Sequence, residues 1–104
     1  MTMFEERERG YEAKWVHDQE MHFRVMARRD MILGEWAAGL MKLSPAQTAD
    51  YAKAIVMVGM TGNGNDPVFE KLRNDLSPAI VSQQQIIAKM KEAFETAGEK
   101  AVPA

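Results

Sequence analysis

The sequence contains no cysteine, which excludes disulfide bonds, thiolate metal sites and cysteine nucleophiles. It contains no apolar run near the roughly 18 residues that a membrane span requires, and its first ten residues are too charged for a signal peptide. A net charge of -2 gives no overall attraction to nucleic acid or to anionic lipid. These absences predict a soluble cytoplasmic protein with no nucleic-acid partner and no direct membrane insertion.

The common catalytic motifs are also missing. No Glu-x-x-His pair is present to hold a di-metal carboxylate site, and His17 and His22 lie about 140° apart around a helix, too far to share a metal ion. The glycines match neither type of phosphate-binding loop, and no serine sits in a nucleophile elbow. We therefore expect a protein that is not an enzyme, binds no metal and requires no cofactor.

With 104 residues, 46% of them apolar, the chain is long enough for one domain with a modest core. Residues 3–40 contain no proline and are rich in good helix formers, which predicts one long helix. A helical projection places a set of large apolar residues on one face. This face contains Met21, Val25, Met26, Ile32, Leu33, Trp36 and Leu40.

Two residues break the pattern of this helix. Arg29 falls in the middle of the apolar face, where a charge must be paired or must reach the surface. It is interpreted either as a structural ion pair or as a ligand for phosphate or a partner carboxylate. Phe23 lies on the polar face, among Arg24, Ala27 and Asp30. It either packs inside the molecule or contacts a partner.

Capping signals define three further helices. Ser44-Pro-Ala-Gln47 is a capping box with proline at the first helical position, and this second helix is expected to stop by Gly59. Residues 61–65 have turn chemistry. Asp66-Pro67 begins a short third helix that Pro78 closes. Ser82 and Gln85 form a second capping box at the start of the fourth helix. The predicted apolar face of this helix contains Ile86, Ile87, Met90, Phe94 and Ala97.

Helices of these lengths are marginal alone, so their apolar faces must pack together. Short connections favour antiparallel neighbours. The predicted fold is all-α, an irregular four-helix bundle with a charged N-terminal helical arm. The expected divisions are an arm at residues 1–17, a bundle at residues 18–98 and a frayed tail at residues 99–104.

The arm carries the clearest functional pattern. Phe4, Tyr11 and Trp15 follow one side of it, surrounded by charged residues. Gly10 costs a helix about 1 kcal/mol relative to alanine, so the free arm is poised between order and disorder. One interpretation is that the arm folds on a partner and lays its aromatic side chains into a groove. The other is that it extends the first helix and packs within the molecule.

The sequence also resembles a known family. From Phe4 it reads Phe-Glu-Glu-Arg-Glu-Arg-Gly-Tyr-Glu-Ala-Lys-Trp-Val-His-Asp-Gln-Glu-Met, followed by Phe-Arg at 23–24, Ala-Arg-Arg-Asp at 27–30 and Leu-Gly-Glu-Trp-Ala-Ala at 33–38. This pattern resembles the zeta subunit of alphaproteobacterial F-type ATP synthase. The resemblance covers nearly the whole chain and is most specific over residues 4–38. Gly10 departs from it, since relatives usually carry alanine there.

The resemblance implies a small inhibitor of ATP hydrolysis whose arm enters an interface between subunits of the catalytic head. It implies a location in the cytoplasm, peripheral to the inner membrane through the synthase, and we expect a free monomer. The residues expected to contact the partner are Phe4, Arg7, Glu8, Tyr11, Lys14 and Trp15 in the arm, together with Phe23. The family also implies ADP or ATP as a regulatory ligand, for which the candidate phosphate contacts are Arg29, Lys71 and Arg73.

Two other functions remain open from the residues. The first is a nucleotide-sensing helical adaptor for another protein partner, in which the arm is only structural. The second is a small-molecule enzyme on a helical bundle, which needs a buried polar cavity with convergent ionisable groups.

Overall fold

A computed structural model describes residues 3–61 and 66–101 of the chain, and the side chains of residues 19–61 and 66–99. Four helices account for most of these residues, and no strand occurs among them. The helices are α1 (Met3–Leu40), α2 (Pro45–Thr61), α3 (Pro67–Asp75) and α4 (Gln83–Ala101). The prediction of an all-α four-helix bundle is confirmed.

The helices form a ring of neighbours in which α1 contacts α2 and α4, and α3 contacts the same two helices. Gly34 of α1 lies against Ala52 of α2, and Asp30 lies against Gly59. The lower residue number on α1 is paired with the higher residue number on α2, so these two helices are antiparallel. The bundle is irregular because α3 has only 9 residues, whereas α2 has 17 and α4 has 19.

The core lies where all four helices meet. Its largest fully buried side chains are Leu33, Ile55, Val68, Leu72, Leu76 and Ile86. On α1 the predicted apolar face contributes one fully buried residue, Leu33, while Ile32, Trp36 and Leu40 are partly buried against the core. The remaining buried positions of α1 include the small residues Gly34, Ala37 and Ala38. Their small size lets a neighbouring helix come close.

Both predicted capping boxes are present. The Gln47 backbone N–H donates to Ser44 Oγ at 3.2 Å, and the Ser44 backbone N–H donates to Gln47 Oε1 at 3.0 Å. Ser82 and Gln85 make the same reciprocal pair at 3.1 and 2.8 Å. Each pair satisfies donors that the first turn of a helix leaves without partners.

The end of α1 is a Schellman turn built around Lys42. The Leu43 backbone N–H donates to Ala38 O, and the Lys42 backbone N–H donates to Gly39 O. Lys42 has φ of 58°, in the left-handed region that glycine usually occupies at this position. The turn reverses the chain so that α2 begins at Pro45.

Three details differ from the sequence predictions. Helix α2 continues past Gly59 to Thr61, and α4 continues past Gly98 to Ala101. The predicted apolar face of α4 is partly wrong: Ile87 is 56% exposed and Phe94 is 44% exposed, whereas Ala93 is buried. The buried line follows Ile86, Ala93 and Ala97, which recur at helical spacing, and Ile87 and Phe94 lie beside this line.

Candidate functional site

Arg29 joins two carboxylates from different parts of the chain. Its Nη2 lies 2.7 Å from Asp30 Oδ1, and its Nε donates to the same oxygen at 2.9 Å. Its Nη1 donates to Asp66 Oδ2 at 3.1 Å. The other oxygen of Asp66 accepts from the Val68 backbone N–H and caps α3. One guanidinium therefore connects α1 to the first turn of α3.

This ion-pair network is buried at its centre. Arg29 is 7% exposed and Asp30 is 3% exposed. Room for the Asp30 carboxylate comes from Gly59, because a Cβ at that position would collide with Asp30 Oδ2. The carboxylate therefore occupies the space that any larger residue at position 59 would fill.

Burial and charge act in opposite directions on the titration of this network. Burial raises the pKa of Asp30, because the hydrogen bond and charge of Arg29 only partly offset the loss of hydration, and the charge of Asp66 raises it further. Burial lowers the pKa of Arg29, but the hydrogen bonds and charges of Asp30 and Asp66 outweigh it, so the pKa is raised overall. Arg29 is the fixed cation of the network.

Of the two interpretations of Arg29, the structure shows the structural ion pair. The placement of Asp30 on the polar face of the first helix is wrong, since Asp30 is buried beside Arg29. The space for its carboxylate comes from Gly59 on the opposing helix, a contact that only the packing of α1 against α2 creates. The nucleotide contact predicted for Arg29 stays a prediction.

Lys71 also has a carboxylate partner. Its Nζ lies 3.0 Å from Asp75 Oδ2 and 5.5 Å from the centre of the Tyr51 ring. The Tyr51 hydroxyl donates to the same Asp75 oxygen at 2.8 Å. Burial raises the pKa of Tyr51, and the hydrogen bond and charge of Asp75 raise it further. This cluster fastens α3 to α2.

Arg73 is paired with Glu70, whose Oε2 lies 2.7 Å from Arg73 Nη2 in an exposed contact along α3. Positions 71 and 73 project about 160° apart around a helix, so Lys71 and Arg73 lie on nearly opposite sides of α3. The three candidate phosphate contacts each bind different carboxylates and are not brought together. Their role toward ADP or ATP stays a prediction.

The arm residues expected to contact a partner are Phe4, Arg7, Glu8, Tyr11, Lys14 and Trp15. Their backbone belongs to α1, and their side chains lie outside the part of the chain whose side chains the structure describes. Phe23 is described and is 54% exposed. It is not packed into the core, which leaves its aromatic ring accessible to a partner.

Phe23 lies at one end of a surface groove between α1 and α2. One half of the groove, with a volume of about 420 Å³, is lined by Phe23, Arg24, Ala27, Arg28, Met31 and Val56. The other half, of about 530 Å³, shares Met31 and continues along Glu35, Leu43, Pro45, Thr48, Ala49, Ala52 and Lys53. We call the two halves together the α1–α2 groove. The pattern of large apolar residues in the sequence does not reveal this groove, because three of its lining residues, Ala27, Ala49 and Ala52, are small.

Metal ligands do not converge among the described residues, where no three histidine, aspartate or glutamate side chains form a possible metal-binding group. Within the same part of the chain, none of the helices combines the length and hydropathy of a membrane span.

The chain was compared with known protein families, curated proteins and solved structures, and one family model matches it. The family model described as ATPase inhibitor subunit zeta matches residues 1–100. Among curated proteins and among solved structures, none matches the chain.

Proposed function

The chain belongs to the ATPase inhibitor subunit zeta family, which makes it a regulatory inhibitor of ATP synthase and not an enzyme, and we propose that its N-terminal arm is the inhibitory element. In this proposal the arm enters an interface between subunits of the catalytic head and blocks rotation. The bundle stays outside and holds the arm in place. The protein is then peripheral to the inner membrane, through its contact with the synthase.

The observation that carries this proposal is the length of α1. Its backbone is helical without a break over 38 residues, which corresponds to about 57 Å. Helices α2 and α4 span only about 26 and 28 Å by the same rise per residue. They can flank about half of α1, so the rest of that helix is available to a partner. The largest dimension of the molecule, 63 Å, agrees with one extended helix.

The composition of the arm suits insertion between subunits. Phe4, Tyr11 and Trp15 recur on one side of the helix and supply the apolar area that dominates most interfaces. Arg7, Glu8 and Lys14 supply charges that set orientation and specificity. Because Gly10 weakens the helix, we propose that binding holds the arm in the helical conformation that the backbone of α1 shows. Such ordering consumes about 2 to 5 kcal/mol of the contact energy.

The nucleotide role is a separate proposal. We propose that ADP or ATP acts as a regulatory ligand of the bundle, with Arg29, Lys71 and Arg73 as the candidate phosphate contacts. Binding at any of them must compete with a carboxylate that already holds the cation. Titration calorimetry with ADP on the wild type and on Lys71→Ala, with Lys91→Ala as the control, tests this role.

The test of the inhibitory arm is ATP hydrolysis by the cognate catalytic head, titrated with the full-length protein and with a protein that lacks residues 1–16. Circular dichroism and urea unfolding check that the truncated protein keeps its bundle, whose buried residues all lie after position 28 in the described chain. We expect inhibition by the full-length protein only. Equal inhibition by both proteins would place the inhibitory element in the bundle. If the truncated protein binds the head without inhibiting it, the arm is inhibitory and the bundle is a docking module.

A further inference from the structure

We propose that the α1–α2 groove is the docking site for an amphipathic helix of the catalytic head, one with an apolar face and acidic residues along its flank. This inference deepens the proposed function and rests on it, because it names the surface through which the bundle is held. It assigns a role to residues of the bundle, whereas the inhibitory contact is assigned to the arm.

The groove has the floor that a helix requires. Phe23, Ala27 and Met31 recur at intervals of four residues on α1 and form one wall. Ala49, Ala52 and Val56 recur at intervals of three and four on α2 and line the opposite side, with the buried Ala52 at the bottom of the groove. Helix-in-groove recognition uses apolar walls of this spacing to accept anchor side chains of the bound helix.

Two large apolar side chains are exposed in the lining of the groove. Phe23 is 54% exposed and Met31 is 37% exposed. Methionine is flexible and polarisable, so it adapts its shape to a bound surface. Clustered exposed side chains of this kind are typical of interaction sites on soluble proteins.

The charges around the groove select an acidic partner. Arg24 and Arg28 lie one turn apart beside Phe23, and Lys53 lines the other half together with one acid, Glu35. Among the described side chains, no carboxylate forms an ion pair with Arg24, Arg28 or Lys53. Three cations against one carboxylate complement a helix that carries acidic residues beside its apolar face.

The dimensions fit a helix of about three turns. The distance from Phe23 to Glu35 along α1 is about 18 Å at 1.5 Å per residue. Phe23 follows Trp15 of the arm by about 12 Å along the same unbroken helix. A partner that holds the arm therefore lies within reach of the groove, and both contacts can form on one assembly.

The first test uses two matched double variants of the full-length chain. The groove variant combines Phe23→Ser with Arg28→Glu. The control combines Phe94→Ser with Lys91→Glu on α4, which removes another exposed phenylalanine and reverses the charge of one exposed lysine. Both are checked for folding by circular dichroism and urea unfolding. Binding to the purified cognate head is measured by biolayer interferometry, separately from inhibition of ATP hydrolysis, at low and high salt.

We expect the groove variant to dissociate at least about tenfold faster than the wild type, with a weaker dependence of binding on salt. Inhibition of ATP hydrolysis should correspondingly require a higher concentration of the groove variant than of the wild type. The control should match the wild type. Equal dissociation rates for the groove variant and the control would overturn the docking site. Failure of the wild type to inhibit while it still binds would overturn the proposed function alone, and failure to bind would overturn both.

The second test identifies what occupies the groove. Because the chain has no cysteine, Met31→Cys introduces a unique attachment point for a photo-crosslinker, and Ile87→Cys provides the same label on α4. We expect the label at position 31 to crosslink to an acidic, amphipathic helical segment of the head, and the label at position 87 not to reach that segment. Crosslinks from position 31 to a second copy of this chain, to its own arm, or to a segment without acidic residues would overturn the proposal.

Discussion

Gly34 of α1 packs directly against Ala52 of α2. A Cβ placed on Gly34 would lie 2.5 Å from Ala52 Cα and 3.1 Å from Ala52 Cβ. The first distance is to backbone, which cannot rotate away as a side chain can. The two helices therefore lie closer together at this point than a residue with a Cβ at position 34 would permit.

We predict that Gly34→Ala destabilises the protein by about 1 to 3 kcal/mol, because the helices must separate to admit the methyl group. Gly39→Ala is the matched control on the same helix, since a Cβ at position 39 meets nothing within 4 Å. The free energy of unfolding of the control should rise by up to about 1 kcal/mol, because alanine favours the helix more than glycine does. Urea unfolding of both variants measures the difference, and a loss of stability in both would contradict this account.

Lys42→Gly should stabilise the protein by about 0.5 to 1 kcal/mol. Lys42 has φ of 58°, a conformation that strains residues with a Cβ and that glycine adopts freely. Lys53→Gly is the control: Lys53 is an exposed lysine within α2, where glycine should cost about 1 kcal/mol. Thermal unfolding of both variants should shift the midpoint in opposite directions, and a lower midpoint for Lys42→Gly would show that its conformation is not strained.

Arg29→Leu should lower the free energy of unfolding by about 3 to 5 kcal/mol, because it leaves the buried Asp30 carboxylate without a cation. Arg73→Leu removes an arginine from an exposed ion pair with Glu70 and should change stability by no more than about 0.5 kcal/mol. Chemical denaturation at neutral pH compares the two. Similar small losses would mean that the Arg29 network is dispensable.

The stability of the wild type relative to Asp30→Asn should depend on pH. Because the pKa of Asp30 is raised in the folded protein, the folded state holds this proton more tightly than the unfolded state does. The contribution of Asp30 is therefore fully present below the ordinary carboxyl pKa of about 4 and is lost as pH rises through the raised pKa. Urea unfolding of both proteins from about pH 3.5 to about pH 7 should show that the stability of the wild type relative to Asp30→Asn falls as pH rises. A relative stability that increases with pH would mean that folding lowers the pKa of Asp30.

Trp15→Ala should weaken inhibition of ATP hydrolysis by at least about 30-fold, the effect of losing a 2 kcal/mol contact at the centre of an interface. The unfolding midpoint should stay unchanged, since the bundle core lies at the other end of α1. Trp36→Ala is the opposite case: Trp36 packs partly buried against the core, so its loss should lower stability. Full inhibition by Trp15→Ala would exclude this residue from the contact.

The helix boundaries that capping chemistry defines were predictable from sequence. Ser44 with Gln47, and Ser82 with Gln85, form the reciprocal hydrogen bonds that their spacing predicts, because the capping box depends only on residues within one turn. The extent of α2 was not predictable in this way. Gly59 was expected to end the helix, yet it lies inside the helix, against Asp30. Its role depends on a residue 29 positions away.

The candidate site was less predictable, because it depends on which faces the helices turn toward each other. A projection that weighs large apolar residues finds Leu33 but overlooks Gly34, Ala37 and Ala38, which are as deeply buried. The same limitation hides the α1–α2 groove. On α4, Ile87 and Phe94 fit a period of three and four as well as the buried line does, and only the packing of the bundle separates the two sets.

The unbroken backbone of α1 fixes the rotational phase of the arm relative to the bundle. Each residue advances a helix by 100°, so one residue inserted between Trp15 and Phe23 would turn the aromatic stripe of the arm by 100° about the axis. Seven inserted residues make two turns to within about 20° and restore the phase, while they move the arm outward by about 10 Å. The arm and the bundle therefore keep a fixed rotational relationship, and only insertions close to a whole number of turns preserve the direction in which the arm presents its side chains.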